Sequence, residues 1–286
     1  MTESPSNPNE LPAVLAEIVD FKREEIESAK EREPVEALEA MIAHAEPTRD
    51  FFEALVDPTE TRTRIIAEVK RQSPSAGLIR PEYGFNNGQD GFRPEIIAQQ
   101  YSNADASAIS CLTDEKFFGG SLAYINQIKA TINLPVIRKD FVLDPYQITQ
   151  SRAYGADAVL LIAECLDDAQ INEMLELAHT LDLAVLLEVH SKANLLRVQP
   201  IIAASTHKRV LLGINNRDLT RMITDLAHTT DLVDLVDDRS ILVSESGIRT
   251  NADLVHLAEH RVHIALVGEH LMRQSNPGDA LAALLG

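Results

Sequence analysis

The chain has 286 residues, of which 45% are hydrophobic, so it can bury the core of one large α/β barrel or of two ordinary domains. Its formal net charge is -18, with 44 acidic against 26 basic residues. This balance argues against a nucleic-acid or anionic-membrane surface, which would need a basic patch. An anionic substrate would therefore have to be held by a few local cations.

The N-terminal end and the two cysteines indicate the compartment. Residues 1–12 have neither the cationic start nor the apolar segment of a secretion signal, and no apolar run reaches membrane-spanning length. Cys111 and Cys165 match no zinc or redox spacing, which is typical of ordinary buried thiols in a reducing compartment. We therefore predict a cytoplasmic protein with a disordered tail over residues 1–12, which are rich in Pro, Ser and Asn.

Residues 13–62 are predicted to form a helical N-terminal extension. Apolar residues recur at helical spacing in LPAVLAEIVDFKREEIESAKER, and PVEALEAMIAHA suggests a second helix. EPTRDFFEAL predicts a short third helix capped by Thr48 or Asp50. The extension contains no strand and too little apolar content for its own domain, so we expect it to pack on the main body.

From Ile65 onward, short β-branched runs alternate with helical patterns. The runs cover residues 65–70, 106–112, 135–140, 157–163, 184–189, 209–215, 240–246 and 263–268. Strands that are each followed by a helix, repeated eight times, predict a single closed parallel (βα)8 barrel of the TIM type over residues 63–286. An open doubly wound sheet is the alternative, and it is disfavoured because no GxGxxG follows any strand.

The connection after the first predicted strand is unusually long. It contains PEYGFNNGQDG, residues 81–91, which is rich in Gly, Asn and Pro, so we expect few apolar anchors in it. Segments of this kind are either mobile lids or tolerated insertions, and the sequence favours neither.

Polar side chains lie at the carboxyl ends of the predicted strands, where a barrel of this kind has its active site. Alternation puts Glu68 and Lys70 on the same face as Ile66, and it turns Lys139 inward together with Ile137. The later strands end in further polar residues, namely Glu188, Asn215, Arg217 and Glu245. We predict that these side chains converge on one mouth of the barrel.

Several of these polar residues also have a simpler interpretation. A single Lys at a strand end usually extends to water, Arg138 is expected to pair with an acidic neighbour, and His190 more often holds a loop than does chemistry. Asp140 and Asp218 would then be helix caps. Independent surface placement does not explain a shared inward parity at one end for Glu68, Lys70, Lys139, Glu188, Asn215 and Glu245. Burying unpaired charges is costly, so we favour a functional site.

Small residues in two loops predict a phosphate site. Barrels of this kind often bind phosphate through backbone N–H groups after strands seven and eight. Ser246 with Gly247, and Gly268 with Glu269, occupy these places, and Ser73 adds a hydroxyl, so we favour a sugar phosphate or similar ligand. No cluster has metal-ligand spacing and no nucleophile elbow is present. We expect acid–base chemistry by Lys and Glu, with no metal or other cofactor.

Seven segments resemble the indole-3-glycerol-phosphate synthase family of tryptophan biosynthesis. They are, in chain order, IIAEVKRQSPSAGLIR, CLTDEKFFGGS, LPVIRKDFVLDPYQI, LLEVHS, LLGINNRDL, LVSESGIRT and LVGEHLM. The segment IVDFKREEIESAK also resembles the family's N-terminal extension. The resemblance implies a carbon-carbon carboxy-lyase that cyclises 1-(2-carboxyphenylamino)-1-deoxyribulose 5-phosphate with loss of carbon dioxide and water.

The resemblance also implies catalytic roles. Lys139 would be the general acid of ring closure, and Glu188 the general base of the later proton removal and dehydration. Lys70 would hold the substrate carboxylate and contribute as an acid in dehydration. Glu68 and Asn215 would orient these groups, with Glu245 close by.

Substrate-binding residues are implied in the same way. Phosphate would be bound largely through backbone N–H groups by Ser73, Ser246, Gly247, Gly268 and Glu269. The anthranilate ring would lie against Phe118 and Phe141, and we count Pro74 and Arg217 as substrate-binding too. The implied partner is a phosphorylated small molecule, and we expect a monomer, with contacts to other enzymes of the pathway left open.

Two other functions compete with this one. A neighbouring isomerase of the pathway should carry a Cys or Asp acid–base pair at strands one and five or six, whereas strand one offers Glu68 and Lys70. A catalytically silent scaffold barrel should have lost Lys139 or Glu188, and both are present. The sequence departs from the family in the long first loop and at His270, where Ser is common.

Overall fold

The computed structural model describes residues 12–56, 62–86, 89–218 and 223–286. The predicted disordered tail lies outside these residues except for Pro12, as do residues 87–88 of the predicted long loop. The fold is therefore described for the extension, the barrel and most of the first loop.

The chain forms a closed barrel of eight parallel strands, as predicted. The strands are β1 (Arg64–Val69), β2 (Ala108–Leu112), β3 (Val136–Lys139), β4 (Ala158–Ile162), β5 (Ala184–Val189), β6 (Val210–Asn215), β7 (Leu242–Glu245) and β8 (Ile264–Val267). Closure comes from β1, which pairs with β2 on one side and with β8 on the other, where Arg64 faces Ile264. The open doubly wound alternative is wrong.

Helices surround the barrel and precede it. They are α1 (Ala13–Arg32), α2 (Val35–Ile42), α3 (Pro94–Asn103), α4 (Glu115–Phe118), α5 (Ala123–Lys129), α6 (Pro145–Ala153), α7 (Asp168–Thr180), α8 (Lys192–Ala204), α9 (Ala227–Leu232), α10 (Asn251–Glu259), α11 (Glu269–Met272) and α12 (Pro277–Leu285). Capping boxes begin α6 at Asp144, α7 at Asp167 and α10 at Thr250, which explains why these helices start where the sequence indicates. None of the helices in the described ranges combines the length and apolar content needed to cross a bilayer.

Apolar side chains form two layers, which follow from strand alternation. One layer fills the barrel interior and includes Ile66, Ile137, Leu186 and Leu266. The alternate residues of the same strands face outward and pack with the helices in a larger cluster. Glu68 and Lys139 have the same parity as Ile66 and Ile137, so the strands themselves direct these polar side chains into the barrel mouth.

The predicted third helix of the extension is wrong. Residues 51–55 form a turn, in which the Glu53 backbone N–H donates to Asp50 Oδ1 at 2.9 Å. Phe51 and Leu55 are buried with the interior layer of the barrel. Packing of these two side chains, rather than helix propensity, therefore determines the local backbone.

The first loop is held to the barrel by one buried side chain and one ion pair. Pro81–Tyr83 form a single 3-10 turn, and Phe85–Asn86 pairs with Gln89–Asp90. Tyr83 is buried and packs edge-on against Phe92 at a centroid distance of 5.3 Å, and Arg71 Nη2 lies 2.8 Å from Asp90 Oδ1. Of the residues in 81–91 whose burial is described, Tyr83 is the one buried apolar side chain and Phe85 is 74% exposed, so the structure agrees with the expectation of few apolar anchors, while the choice between lid and insertion stays open.

The two cysteines are free thiols. Cys111 is fully buried and Cys165 is partly buried. Burial raises the pKa of both thiols, so neither has the character of an activated thiolate.

Candidate active site

One cavity of about 480 Å³ opens at the carboxyl ends of the strands. Every side chain or small residue that the sequence placed in the site lines it. These residues are Glu68, Lys70, Ser73, Pro74, Phe118, Lys139, Phe141, Glu188, Asn215, Arg217, Glu245, Ser246, Gly247, Gly268 and Glu269. The barrel thus brings together residues that are up to 201 positions apart, from Glu68 to Glu269.

An ion pair between Lys139 and Glu188 lies in the cavity. Lys139 Nζ, at the end of β3, donates a hydrogen bond of 2.9 Å to Glu188 Oε2 on β5. Burial lowers the pKa of Lys139, but the carboxylates of Glu188, Glu245 and Glu68 outweigh it and raise that pKa. Burial has the opposite effect on the carboxyl group and raises the pKa of Glu188. The charges of Lys139 and His190 outweigh burial and hold the pKa of Glu188 well below its usual range. The pair is therefore a protonated amine next to an ionised carboxylate.

Glu245 is a second carboxylate at the same amine. Its Oε2 lies 3.6 Å from Lys139 Nζ, and it is almost completely buried at the end of β7. Burial and the neighbouring Glu188 carboxylate raise the pKa of Glu245 well above its usual range, because one lysine cannot neutralise two buried carboxylates. The side chain fits because Gly213 of β6 has no side chain, and a Cβ atom there would lie 2.2 Å from Glu245 Oε1.

Glu188 is held from its other oxygen as well. Asn215 Nδ2 donates to Glu188 Oε1 at 3.1 Å, and His190 Nε2 lies 3.3 Å from the same oxygen without good hydrogen-bond alignment. His190 Nδ1 faces Glu164 Oε2 at 3.2 Å, and the His190 backbone N–H donates to Glu164 Oε1. The interpretation of His190 as a loop residue alone is therefore incomplete, since its ring also lines the cavity.

A second acid–base pair lies at the end of β1. Lys70 Nζ donates to Glu68 Oε1 at 2.5 Å, and Ser110 Oγ lies 3.5 Å from the other oxygen of Glu68. Gly268 faces this carboxylate, and a Cβ atom at Gly268 would lie 2.2 Å from Glu68 Oε1. The sequence predicted that Gly268 allows close approach of phosphate. In the structure, the space left by its missing side chain is occupied by the Glu68 carboxylate.

One end of the cavity carries three arginines from the loops after β6, β7 and β8. Arg217 Nη2 lies 3.2 Å from Glu269 Oε2, and its Nη1 donates to Ser75 Oγ at 2.8 Å, which joins the loops after β6, β8 and β1. Ser246 and Gly247 adopt left-handed φ values of 69° and 86°, a conformation that is costly for serine and recurs at ligand sites. Arg249 and Arg273 line the same end, so the local cations expected for this acidic chain are present.

The opposite end of the cavity is apolar. The rings of Phe118, at the end of α4, and Phe141, just after β3, lie 6.2 Å apart between centroids and are tilted by 41°. Further apolar lining comes from Leu112, Leu160 and Ile162 on the barrel strands. Helix α1 adds Val14, Leu15 and Ile18. The cavity thus offers a cationic end, an apolar aromatic end and two lysine–glutamate pairs.

Comparison with known proteins decides the family. The profile of the family described as "Indole-3-glycerol phosphate synthase" matches residues 15–284. The chain belongs to the indole-3-glycerol phosphate synthase family. It is 42% identical over 274 residues to a relative of that name from Polaromonas naphthalenivorans, covering 96% of this chain and 98% of the relative. A relative of the same name from Rhodopirellula baltica is 44% identical over 273 residues, covering 95% and 98%.

Similar solved structures support the barrel fold of this indole-3-glycerol phosphate synthase family member. A 3-hexulose-6-phosphate synthase from Salmonella typhimurium has a TM-score of 0.58 at 10% identity and covers 78% of this chain and 96% of its own. A mutant tryptophan synthase alpha-subunit from Pyrococcus furiosus has a TM-score of 0.56 at 12% identity, covering 78% and 98%. The family is that of a decarboxylating lyase of tryptophan biosynthesis, so the resemblance seen in the sequence is confirmed.

Sequence reasoning missed part of the site of this indole-3-glycerol phosphate synthase family member. Helix α1 was expected only to pack on the barrel, yet Leu15 and Ile18 line the cavity. The available signal was the apolar stripe of α1, which has to be covered by something. Nothing in that stripe distinguished a cavity wall from an ordinary packing surface.

Two predicted caps have other roles in the structure. Asp140 accepts from Thr113 Oγ1 at 2.6 Å and from Arg138 Nη2 at 3.0 Å, so the predicted acidic partner of Arg138 is Asp140, whereas Asp144 caps α6. Asp218 lies in a two-stranded hairpin that pairs Arg217–Asp218 with Ile223–Thr224. The capping interpretation is therefore wrong for both residues.

Proposed function

We propose that the cavity converts 1-(2-carboxyphenylamino)-1-deoxyribulose 5-phosphate to indole-3-glycerol phosphate, with loss of carbon dioxide and water. The observation that carries the proposal is the Lys139–Glu188 pair at 2.9 Å inside a cavity with one cationic and one aromatic end. Such a cavity suits a ligand that has a phosphate at one end and an aromatic ring at the other.

Lys139 is the proposed general acid of ring closure. Attack of the aromatic ring on the ribulose carbonyl forms a carbon–carbon bond and places negative charge on the carbonyl oxygen, which needs a positioned proton donor. Neighbouring carboxylates, of which Glu188 contributes most, raise the pKa of Lys139 and keep its amine protonated when the substrate arrives. Decarboxylation then releases carbon dioxide and leaves the bonding electrons in the new ring.

Glu188 is the proposed general base of the later steps. While Lys139 is a cation, it holds the pKa of Glu188 low and makes Glu188 a weak base. Once Lys139 has given its proton to the substrate, this opposition is removed and the pKa of Glu188 rises. The acid step therefore prepares the base that takes the ring proton and allows water to leave.

The remaining polar residues have supporting roles in the proposal. Lys70 holds the substrate carboxylate and serves as an acid when water leaves, and Glu68 positions its amine by the 2.5 Å contact. Asn215 fixes the Glu188 carboxylate through its 3.1 Å hydrogen bond. Glu245 lies close to Lys139 and contributes to holding its proton.

The substrate ends are assigned to the cavity ends. Phosphate is bound by the hydroxyl of Ser73 and the backbone N–H groups around Ser246, Gly247, Gly268 and Glu269, with Arg217 as a local cation. The anthranilate ring packs against Phe118 and Phe141, next to Pro74, where aromatic contacts contribute most. We further propose a monomer in the cytoplasm that needs no metal or other cofactor, consistent with its acid–base residues.

The test is formation of indole-3-glycerol phosphate by the purified full-length chain. Indole fluorescence should appear on addition of the anthranilate-ribulose substrate, without added metal and in the presence of a chelator. Lys208→Ala is a matched control, because this exposed lysine precedes β6 at the opposite end of the barrel and should leave the rate unchanged. Absence of indole fluorescence from a folded wild-type chain contradicts the proposal.

A further inference from the structure

Lys22 is a lysine with no exposure to solvent, although it lies on α1 outside the barrel. Its Nζ lies 2.8 Å from Asp114 Oδ2 and 3.0 Å from Asp140 Oδ1, and the side-chain exposures of the three residues are 0%, 0% and 1%. Burial lowers the pKa of Lys22, but Asp140, Asp114 and Glu25 outweigh it and raise that pKa. The residue is thus a fixed buried cation between two loops of the barrel mouth.

Asp114 connects this cation to Phe118. It is the N-cap of α4, and its Oδ1 accepts from the backbone N–H groups of Phe117 and Phe118 at 2.7 and 3.2 Å. Its other oxygen faces Lys22. The position of the Phe118 ring in the cavity therefore depends on a carboxylate that Lys22 holds from the other side.

Asp140 connects the same cation to Phe141. Asp140 follows Lys139 directly, and its Oδ1 accepts from the Phe141 backbone N–H at 2.8 Å. Its Oδ2 is already bound by Thr113 and Arg138, so Asp140 keeps partners of its own without Lys22. Lys22 is therefore more important for α4 than for the end of β3.

A second contact, between two aromatic rings, also joins α1 to α4. The rings of Phe21 and Phe117 pack edge-on with centroids 5.8 Å apart, and Lys116 Nζ lies 3.6 Å from the centroid of the Phe21 ring. Residues 21 and 22 of α1 thus both contact α4, the short helix that ends in Phe118. A helix of four residues has little stability of its own, so its place must be set by such contacts.

We propose that Lys22 is a positioning residue that sets the spacing of Phe118 and Phe141 at the aromatic end of the cavity. It acts through Asp114 and Asp140 and does not touch the substrate. The proposal rests on the function proposed above, since it assumes that the substrate ring lies against these two phenylalanines. Stability alone does not explain a buried charge here, because well-packed apolar residues usually stabilise a protein as well or better.

The test replaces Lys22 together with one of its two buried carboxylate partners. Lys22→Met alone leaves Asp114, Asp140 and Glu25 against the single cation Arg138, so the variant is at risk of not folding. In Lys22→Met with Asp114→Asn one cation and one anion are lost together, and asparagine is still a good N-cap. We expect the double variant to raise the KM for the anthranilate-ribulose substrate by about tenfold and to change kcat by less than about threefold, since ring binding and not proton transfer is affected.

The control lies on the same helix. Lys30→Met removes an ion pair of 2.8 Å to Asp144 at the far end of α1, outside the cavity lining, and should leave KM and kcat unchanged. If the double variant is folded by its melting curve and has the KM of the wild type, Lys22 is only a stabilising residue and the proposal is wrong. A fall in kcat with unchanged KM also overturns it. Wild-type turnover in the same assay tests the proposed function separately.

Discussion

Gly268 leaves the space that the Glu68 carboxylate occupies, since a Cβ atom at Gly268 would lie 2.2 Å from Glu68 Oε1 and 2.9 Å from Glu68 Cβ. This relationship links the end of β8 to the Lys70–Glu68 pair of β1. It means that a residue without a side chain is part of the acid–base geometry, although it contributes no chemistry of its own.

We therefore expect Gly268→Ala to lower turnover by displacing Glu68 and Lys70. A displacement of about 1 Å in a catalytic arrangement can cost on the order of 100-fold in rate, so a fall of at least about tenfold is expected in kcat. The measurement is steady-state kinetics of Gly268→Ala, Glu68→Gln and the double variant. Because both changes act on the same carboxylate, the double variant should be no slower than Glu68→Gln alone, and additive losses contradict this account.

Lys139→Ala should abolish ring closure while substrate binding survives within about tenfold, because a general acid acts mainly in the transition state. Loss of a general acid costs on the order of 100-fold or more in rate. Single-turnover kinetics combined with equilibrium binding of the substrate separates the two effects. A variant that keeps more than about a tenth of wild-type turnover means that Lys139 is not the acid.

Glu188→Gln should allow ring closure and stall the later proton removal. The amide still accepts a hydrogen bond from Lys139, whose Nζ lies 2.9 Å from Glu188 Oε2, but it cannot take a proton. Quenched-flow sampling should reveal a dihydroindole-type intermediate that the wild type does not accumulate. An unchanged rate of product formation excludes Glu188 as the base.

The free energy of unfolding should depend on pH through His190. Burial lowers the pKa of His190, but Glu164 and Glu188 outweigh both burial and the nearby Lys139 and raise that pKa above its usual value. A raised pKa stabilises the fold fully below the unfolded-state value of about 6.5, and this contribution is lost as pH rises through the folded-state pKa. Denaturant unfolding from pH 6 to 9 should therefore show a decline that His190→Asn flattens.

His207 provides the opposite case for the same experiment. Burial lowers its pKa to about 4, so its contribution is present above about pH 6.5 and is lost as pH falls towards 4. His207→Gln should change the pH dependence only on the acid side. If both histidine variants alter the free energy of unfolding over the same pH range, the assignment of the alkaline decline to His190 is wrong.

The sequence predicted most of the barrel and the inner residues of the site because both depend on local rules. Strand alternation alone turns Lys139 the same way as Ile137, and the closed sheet then brings Lys139 to Glu188. The end of β1 follows the same rule for Glu68. No long-range information was needed beyond the number of strands.

The features that the sequence did not reveal depend on contacts between distant segments. A lysine on a charged helix is normally a surface residue, so Lys22 gave no sign of its burial against Asp114 and Asp140. Phe51 and Leu55 fill the barrel interior from a turn, where helix propensity suggested a helix. In both cases the partner side chains are distant in sequence, and only the closed barrel supplies them.

Barrel closure has a consequence for synthesis of the chain. Arg64 pairs with Ile264, so β1 keeps one open edge until the last strand has left the ribosome. Pairings of such long sequence separation are slow to form, because the entropy of closing the chain must be overcome first. A nascent chain that ends before β8 should therefore make no indole-glycerol phosphate, while addition of residues 261–286 as a separate fragment should restore activity by completing the sheet. An active chain without β8 would show that the acid–base pairs form before the barrel closes.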